Sequence, residues 1–363
     1  MRRGLRLTLL ALLAAAQTAA AARPPAAPGA PVYAPVLPGR PLAFPADHGA
    51  HPQHRTEWWY ITGWLDTPDG PQGFQVTFFR SRPQVDQRNP SAFAARQVLF
   101  AHAALSDPRT GRLLHDQRIA RQGFGLAQAS TADTDIVLDD WRLKRKADGR
   151  FLAKAGGKEF GLDLAFTPTQ GVLLQGDGGY SRKGPRAGEA SHYYSIPHLK
   201  VSGLLRRGAR AMKVSGEAWL DREWSSTLLD PRAVGWDWTG LNLDDGGALM
   251  AFQVRDAAGR PLWAGGALRS PDGSVVNFAP ADVTFAVRRR WRSPRTGADY
   301  PVDRLLTVRL PRGPRRFAIT PLFDDQELDS RLGGGPVYWE GAVRTDGGRG
   351  YLELTGYVAP LKF

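Results

Sequence analysis

The sequence predicts an all-β protein in which two rolled sheets follow one another along the chain. Three observations lead to that reading. Helical periodicity is almost absent, and short runs of β-branched and aromatic residues recur between turn signals such as TPDG, DPRTG, LDDGG, SPDG and TDGG. Many short strands divided by regular turns mark a sandwich or barrel. Blocks of the chain also echo one another in an unchanged order, and one stretch, EWWYITGWL at 57–65, carries aromatic side chains on both faces of a single strand.

The N-terminus opens with Arg2, Arg3 and Arg6, continues as an apolar run from Leu7 to about Ala16, and closes with Ala20 and Ala22 before Arg23. That is the layout of a signal peptide over residues 1–22. The apolar run is short of the ~20 residues a membrane span needs, and nothing similar follows. The expectation is an exported chain, periplasmic or extracellular, without an integral membrane segment after cleavage. Residues 23–40, RPPAAPGAPVYAPVLPGR, read as an extended Pro/Ala-rich leader.

Beyond the leader the chain divides into residues 41–228 and 229–363. WWYITG (58–63) is echoed by GWDWTG (235–240), and Phe74-Gln75-Val76 by Phe252-Gln253-Val254. Late in each half HYYS (192–195) is echoed by VYWE (337–340), and KVSGEAW (213–219) by ELTGYVA (353–359). Each match is weak alone, but their shared order argues for a tandem duplication of one all-β unit. The junction falls just after GEAWLDREWSS.

The doubly aromatic strand fits that duplication. Side chains alternate along a strand, so Trp58, Tyr60 and Trp64 share one face and Trp59, Ile61 and Leu65 the other. An ordinary surface strand is apolar on one side only. Two barrels packed together would bury the outer face, and a ligand cavity would account for the other.

Composition narrows the function classes. The formal charge is +13, carried by 40 arginines against 8 lysines. The longest basic runs, VRRRWR and RLKRK, read as strands, whereas nucleic-acid proteins gather basic residues on one face or helix. Nucleic acid is therefore not an expected partner. The absence of cysteine excludes disulfides, thiol catalysis and cysteine-ligated metal. Stability must rest on apolar cores that the aromatic residues can fill. No Gly-rich phosphate loop stands between a strand and a helix, so no nucleotide cofactor is expected.

The blocks DHGAHP, RTEWWYITGWL, AHAALSD, HYYSIPHL, GEAWLDREWSS, GWDWTGLNLDDGGALMAFQ, DQEL, YWEG and GYLELTGYV resemble the signature blocks of the AttH-like proteins. These are relatives of carotenoid 1,2-hydratase (hydroxyneurosporene synthase). The resemblance runs from about Phe44 to Tyr357. It implies two tandem lipocalin-like β-barrels packed together, an exported protein, and labels such as "predicted secreted hydrolase" or a component associated with an ABC transporter. The sequence departs from the pattern in places. Asp221-Arg222-Glu223-Trp224 stands where many relatives have Asp-His-Glu-Trp, which removes a proton carrier while keeping the acid. Pro197-His198 replaces Pro-Arg, and Asp303-Arg304 follows Tyr-Pro-Val where a tryptophan is expected.

Candidate chemistry centres on Asp221 and Glu223, two apart and hence on one strand face, with Trp219 beside them. Paired carboxylates next to indole rings can split their pKa values, one staying protonated as an acid. Alkene hydration, implied by the related hydratase, would use such a pair and needs no cofactor. The competing reading of the same residues is an inter-domain salt bridge with Arg222 or another arginine. Glu57 and His102 are further catalytic candidates; a buried Glu57 needs a partner, and Arg55, His102 or Tyr194 are in question, while His102 also reads as a satisfied core histidine. Trp59, Trp64, Tyr194, Trp219, Trp224, Trp236 and Trp238 are candidates to line a pocket for a flat hydrophobic or polyene ligand, or to fill cores. His48, His51 and His54, spaced three apart and close to Glu57, come with Asp47 nearest to a metal set, but Gly49 and Pro52 favour a loop that plugs a barrel end, and no metal is expected. Ser195 has His192 and His198 nearby, yet no nucleophile elbow accompanies it.

Two functions remain open at this level. One is an exported protein handling a hydrophobic small molecule or lipid, associated with an ABC transporter. The other is a cofactor-independent hydratase or hydrolase using acidic residues at the domain junction.

Overall fold

The computed structural model describes residues 29–227 and 229–361. The segment read as a signal peptide and the first part of the leader lie outside the described residues, as does Leu228 at the expected junction.

The first sheet comprises β1 (Thr56–Asp66), β2 (Gln72–Ser81), β3 (Val98–Ser106), β4 (Leu114–Arg121), β5 (Ala127–Ala129), β6 (Asp135–Leu138), β7 (Trp141–Arg145), β8 (Phe151–Gly156), β9 (Phe160–Pro168), β10 (Leu173–Leu174), β11 (Tyr180–Arg182), β12 (Ala190–Arg207) and β13 (Arg210–Thr227). The second comprises β14 (Ala233–Leu243), β15 (Ala248–Asp256), β16 (Pro261–Arg269), β17 (Val275–Phe278), β18 (Val283–Arg292), β19 (Asp299–Leu310), β20 (Gly313–Pro321), β21 (Glu327–Asp329), β22 (Val337–Thr345) and β23 (Gly348–Leu354). Only short 3₁₀ turns interrupt them among the described residues, and no helix there is long and apolar enough to cross a membrane.

The two sheets follow one path. The first runs β4-β3-β2-β1-β13-β12-β9-β8-β7-β6-β5, and the second β17-β16-β15-β14-β23-β22-β20-β19-β18. In each, a four-stranded meander is joined by the last strand of the unit, which lies beside the first: β13 beside β1, and β23 beside β14. The fold is thus all-β, two lipocalin-like barrels in tandem, as the sequence predicts.

Three main apolar clusters fill it. Trp59, Ile61, Leu65, Phe74 and Val76 pack with Trp141, Phe166 and Trp224 inside the first barrel. Leu241, Leu243, Tyr300, Leu306 and Trp339 pack inside the second. Tyr60, Trp64, Tyr193, Trp219, Trp238 and Phe252 form the third, between the barrels. The two aromatic faces of β1 are therefore both packing faces, one turned to its own barrel and one to the neighbour. Burial of each large apolar side chain contributes about 1.5–3 kcal/mol. A ligand cavity does not account for the inner face, because Trp59, Ile61 and Leu65 lie in solid core there.

The internal echo is only partly equivalent in space. Tyr193 and Tyr338 both face outward, and Tyr194 and Trp339 both face inward. In the earlier blocks the faces are exchanged. Phe74 and Val76 point into the first barrel, while Phe252 and Val254 point out of the second. Gln253 points inward, donating to buried Asp237. An offset of one residue turns every side chain of a strand to the other face, so these matched letters are not matched positions.

The barrels come close together at Gly73. A Cβ there would stand 2.5 Å from Cβ of Ala342 and 2.7 Å from the Tyr351 hydroxyl, both across the interface. Gly73→Val is expected to force the barrels apart and to destabilise the fold by about 1–3 kcal/mol, read as a lower urea midpoint.

Candidate functional site

β1, β12, β13, β14 and β23 present their outer faces to the inter-barrel space. Their short-range alternation decides which residues reach it. On β13, Leu220, Arg222 and Trp224 turn into the first barrel, so Trp219, Asp221 and Glu223 turn out. On β23, Leu352 and Leu354 turn into the second barrel, so Glu353 turns out.

A cavity of about 390 Å³ opens between the barrels. Its walls are Trp58, Tyr60, Phe79 and Phe100 from the first barrel and Trp236, Trp238, Phe252 and Tyr338 from the second. Asp221, Glu223, Glu353, Lys183, Tyr193 and His102 supply the polar groups. Tyr33 of the leader, the segment 82–84, the segment 334–336 and Leu361 also line it.

Asp221 is buried and held by three donors. The Ser195 hydroxyl (2.5 Å) and the Trp219 indole N–H (2.7 Å) reach Oδ1, and the Tyr193 hydroxyl (2.8 Å) reaches Oδ2. The Tyr193 oxygen in turn accepts from the Trp238 indole of the second barrel at 3.0 Å. Burial pushes the Asp221 carboxyl up to about 7, against the downward pull of the three hydrogen bonds, with the nearby Glu223 adding to the rise. The inter-domain salt bridge with Arg222 does not form, since Arg222 points the other way.

Glu223 pairs with Lys183 at 3.0 Å and accepts from Ser191. The Lys183 ammonium lies 4.5 Å from the Tyr193 ring centre and 4.3 Å from that of Phe252. Glu353 accepts from the Trp236 indole at 2.6 Å, and burial, with Glu223 and Asp221 nearby, pushes it up to about 7. Its ladder neighbour Glu340 accepts from the Tyr60 hydroxyl of the first barrel at 2.6 Å. Burial, reinforced by Glu353, raises Glu340 well above the ordinary range. His102 lies 2.8 Å from the Tyr338 hydroxyl through Nδ1; burial lowers it to about 3, so its ring is uncharged near neutrality.

Of the residues singled out by sequence, Asp221, Glu223, His102, Trp236 and Trp238 line the cavity together. Trp219 stands behind Asp221, and Trp64 packs nearby with its indole on the Gly350 carbonyl (3.0 Å). Glu57, Trp59, Tyr194 and Trp224 do not reach the cavity, because alternation turns them into the first barrel. There Glu57 forms ion pairs with Arg80 and Arg222. Its carboxyl would be raised by burial, but the two guanidiniums more than offset this and hold it well below the usual range. Trp59 lies under the Arg222 guanidinium at 3.9 Å, and Trp224 stacks on His51 at 3.8 Å. Tyr194 is 2.6 Å from His48. His51 bridges Asp47 (2.8 Å) and Glu57 (3.3 Å), which closes the barrel end, and no group of three or more metal-ligating side chains is found among the described residues. Ser195 bonds to Asp221, while His198 pairs with Glu217 at 2.6 Å, so a Ser-His pair is not assembled. Arg222, at the position where the resemblance led to an expected histidine, faces away from the cavity.

Trp58, Tyr60, Tyr193, Lys183, Glu340 and Glu353 escaped sequence reasoning. Glu353 carried a usable signal: it sits between two leucines on a strand, in LELTG, and so must face opposite to the core.

The comparisons agree with this architecture. The AttH-like family model matches residues 35–357. A crystal structure of a protein from Nitrosomonas europaea described as an AttH is 52% identical, with a TM-score of 0.82, covering 90% of this chain and 100% of that one. Kievitone hydratase from Nectria haematococca is 14% identical with a TM-score of 0.65, covering 91% of this chain and 97% of its own. CghA, solved with Sch210972, is 14% identical with a TM-score of 0.51, covering 83% and 89%. The last two likenesses show the fold. No curated protein matches the chain.

Replacing Arg222 by Met leaves Glu57 buried with less compensation and is expected to cost about 3–5 kcal/mol near neutral pH. A carboxylate with a depressed folded pKa stabilises above its unfolded value and loses that contribution as pH falls. The difference in unfolding free energy between Arg222→Met and the parent should therefore shrink in acid, as followed by denaturant titrations across pH.

Proposed function

The chain belongs to the AttH-like family, and from that premise we propose that it is a cofactor-independent hydro-lyase acting on the double bond of a hydrophobic molecule held between the barrels. The observation that carries this reading is a single acid. Asp221 is buried, is pushed up to about 7, and fronts a cavity walled by aromatic rings. A carboxyl that stays neutral near physiological pH can deliver a proton.

The chemistry follows from the walls. An alkene lying against Trp58, Trp238 and Phe252 receives the Asp221 proton on one carbon, and positive charge develops on the other. Aromatic faces attract cations by about 0.5–2 kcal/mol each, and the new Asp221 carboxylate adds its own field. Tyr193 and Ser195 keep the carboxyl oriented through their hydroxyls. Water then bonds to the cationic carbon and gives up a proton. The name of the kievitone hydratase whose fold is shared supports hydration as the reaction. The basic and apolar N-terminal segment supports an exported protein, which fractionation of the native host would test.

Neurosporene and kievitone serve as probe substrates, with the product identified by mass spectrometry in ¹⁸O-labelled water. The expected result is a hydrate carrying solvent oxygen. Asp221→Asn should lower kcat by about 10²–10⁴-fold, the usual worth of a positioned acid, while keeping the fold. Because the active form is protonated, the rate should fall as pH rises past about 7. A rate that climbs through that range, or full activity in Asp221→Asn, would remove Asp221 as the acid.

A further inference from the structure

We propose that Glu353 is the second catalytic carboxyl of this cavity, the group that takes the proton of the attacking water while Asp221 supplies the proton to carbon. This rests on the hydratase reading and assigns the half of the reaction that Asp221 cannot perform.

The placement comes from the duplicated topology. Asp221 lies on β13, the strand beside the first strand of its sheet, directly opposite Tyr60 of β1 and Ser195 of β12. Glu353 lies on β23, beside the first strand of the second sheet, opposite Trp238 of β14 and Glu340 of β22. The two acids occupy corresponding positions of the two barrels. Each accepts from an indole N–H, Trp219 for Asp221 and Trp236 for Glu353, and each lines the same cavity. Their neighbours cross over: Tyr60 beside Asp221 donates to Glu340, and Trp238 beside Glu353 donates to Tyr193, which donates to Asp221.

The correspondence is not identity, and the differences fit two roles. Asp221 is nearly sealed and has three donors, whereas Glu353 is only partly covered and opens on the cavity, where a water would stand. The ionisable groups around Glu353 are Glu340 on its own sheet and Asp221 and Glu223 across the gap, the last paired with Lys183. Carboxyls that raise one another lose their protons in separate steps, leaving one neutral and one ionised over an intermediate pH range. Burial lifts both Asp221 and Glu353 to about 7, with Glu223 adding to the rise of Asp221 and both Glu223 and Asp221 adding to that of Glu353, which supports such sharing.

The step balances. The alkene electron pair forms a C–H bond with the Asp221 proton, leaving a carbocation and an Asp221 carboxylate. A water oxygen bonds to the cation, and one of its protons passes to the Glu353 carboxylate. One water has been added, and a proton returning from Glu353 to Asp221 through solvent resets the site.

The test titrates carboxyl protonation by difference infrared spectroscopy and measures hydration of neurosporene and kievitone, in wild type, Glu353→Gln, Glu353→Asp and Asp221→Asn. The inference expects Glu353→Gln to lower the ionisation midpoint of Asp221 and to reduce kcat at least about tenfold with little change in KM. It also expects the acidic limb of the pH–rate profile to vanish in that variant, since that limb reports the ionised base. Glu353→Asp should restore part of the rate. An unmoved Asp221 midpoint, or a Glu353→Gln enzyme as fast as wild type, would overturn the assignment while leaving the hydratase reading in place. Failure of wild type to hydrate either probe would bring down both.

Discussion

The molecule depends on the burial of strand faces that a solitary barrel would leave wet. β1, β13 and β14 are covered on both sides over much of their length, so the backbone between the barrels is sealed and its polar side chains must find partners. They find them across the gap. Tyr60 of the first barrel donates to Glu340 of the second, and the Trp238 indole of the second donates to Tyr193 of the first. Apolar burial supplies most of the association, while these reciprocal bonds fix how the two faces meet, because a misplaced buried donor is costly.

That junction also explains why the functional groups lie where they do. Barrel interiors are filled with Trp59, Trp141 and Trp224 on one side and Tyr300 and Trp339 on the other, leaving the inter-barrel space as the place where polar groups and an apolar cavity coexist. Glu57 and Asp237, buried carboxylates inside the barrels, are each paired with two guanidiniums: Glu57 with Arg80 and Arg222, Asp237 with Arg255 and Arg304. Asp221, Glu340 and Glu353 at the junction have indoles or hydroxyls as partners instead of guanidiniums, and neutral donors stabilise an anion less. Hence Glu57 and Asp237 are driven down, while Asp221 and Glu353 are driven up.

Much of this was legible in the chain. The missing helical period, the spaced turns and the double-faced aromatic strand led to two packed barrels, and the shared face of Asp221 and Glu223 in the motif at the domain boundary led to the junction. What escaped were the inner and outer identities of single residues. Glu57, Tyr194 and Trp224 look like site residues because they stand in the same motifs as the cavity groups, yet one step along a strand reverses direction. The echo between the halves holds in its order but not always in its facing, for the same reason, since letters repeat without regard to which side of the sheet they occupy. Lys183 and Glu340 were hidden differently: their importance arises only from a partner contributed by a distant strand.

For the hydration proposed above, the unequal furnishing of the two corresponding acids bears on selectivity. Beside Asp221 the ladder supplies Ser195, and beside Glu353 it supplies Glu340. A lopsided alkene lying along the gap would thus present different ends to different chemistries, and turning it round would exchange them. Regiochemistry, the choice of which carbon gains hydrogen and which gains oxygen, would then be set by the direction in which the guest enters rather than by its own electronic bias alone.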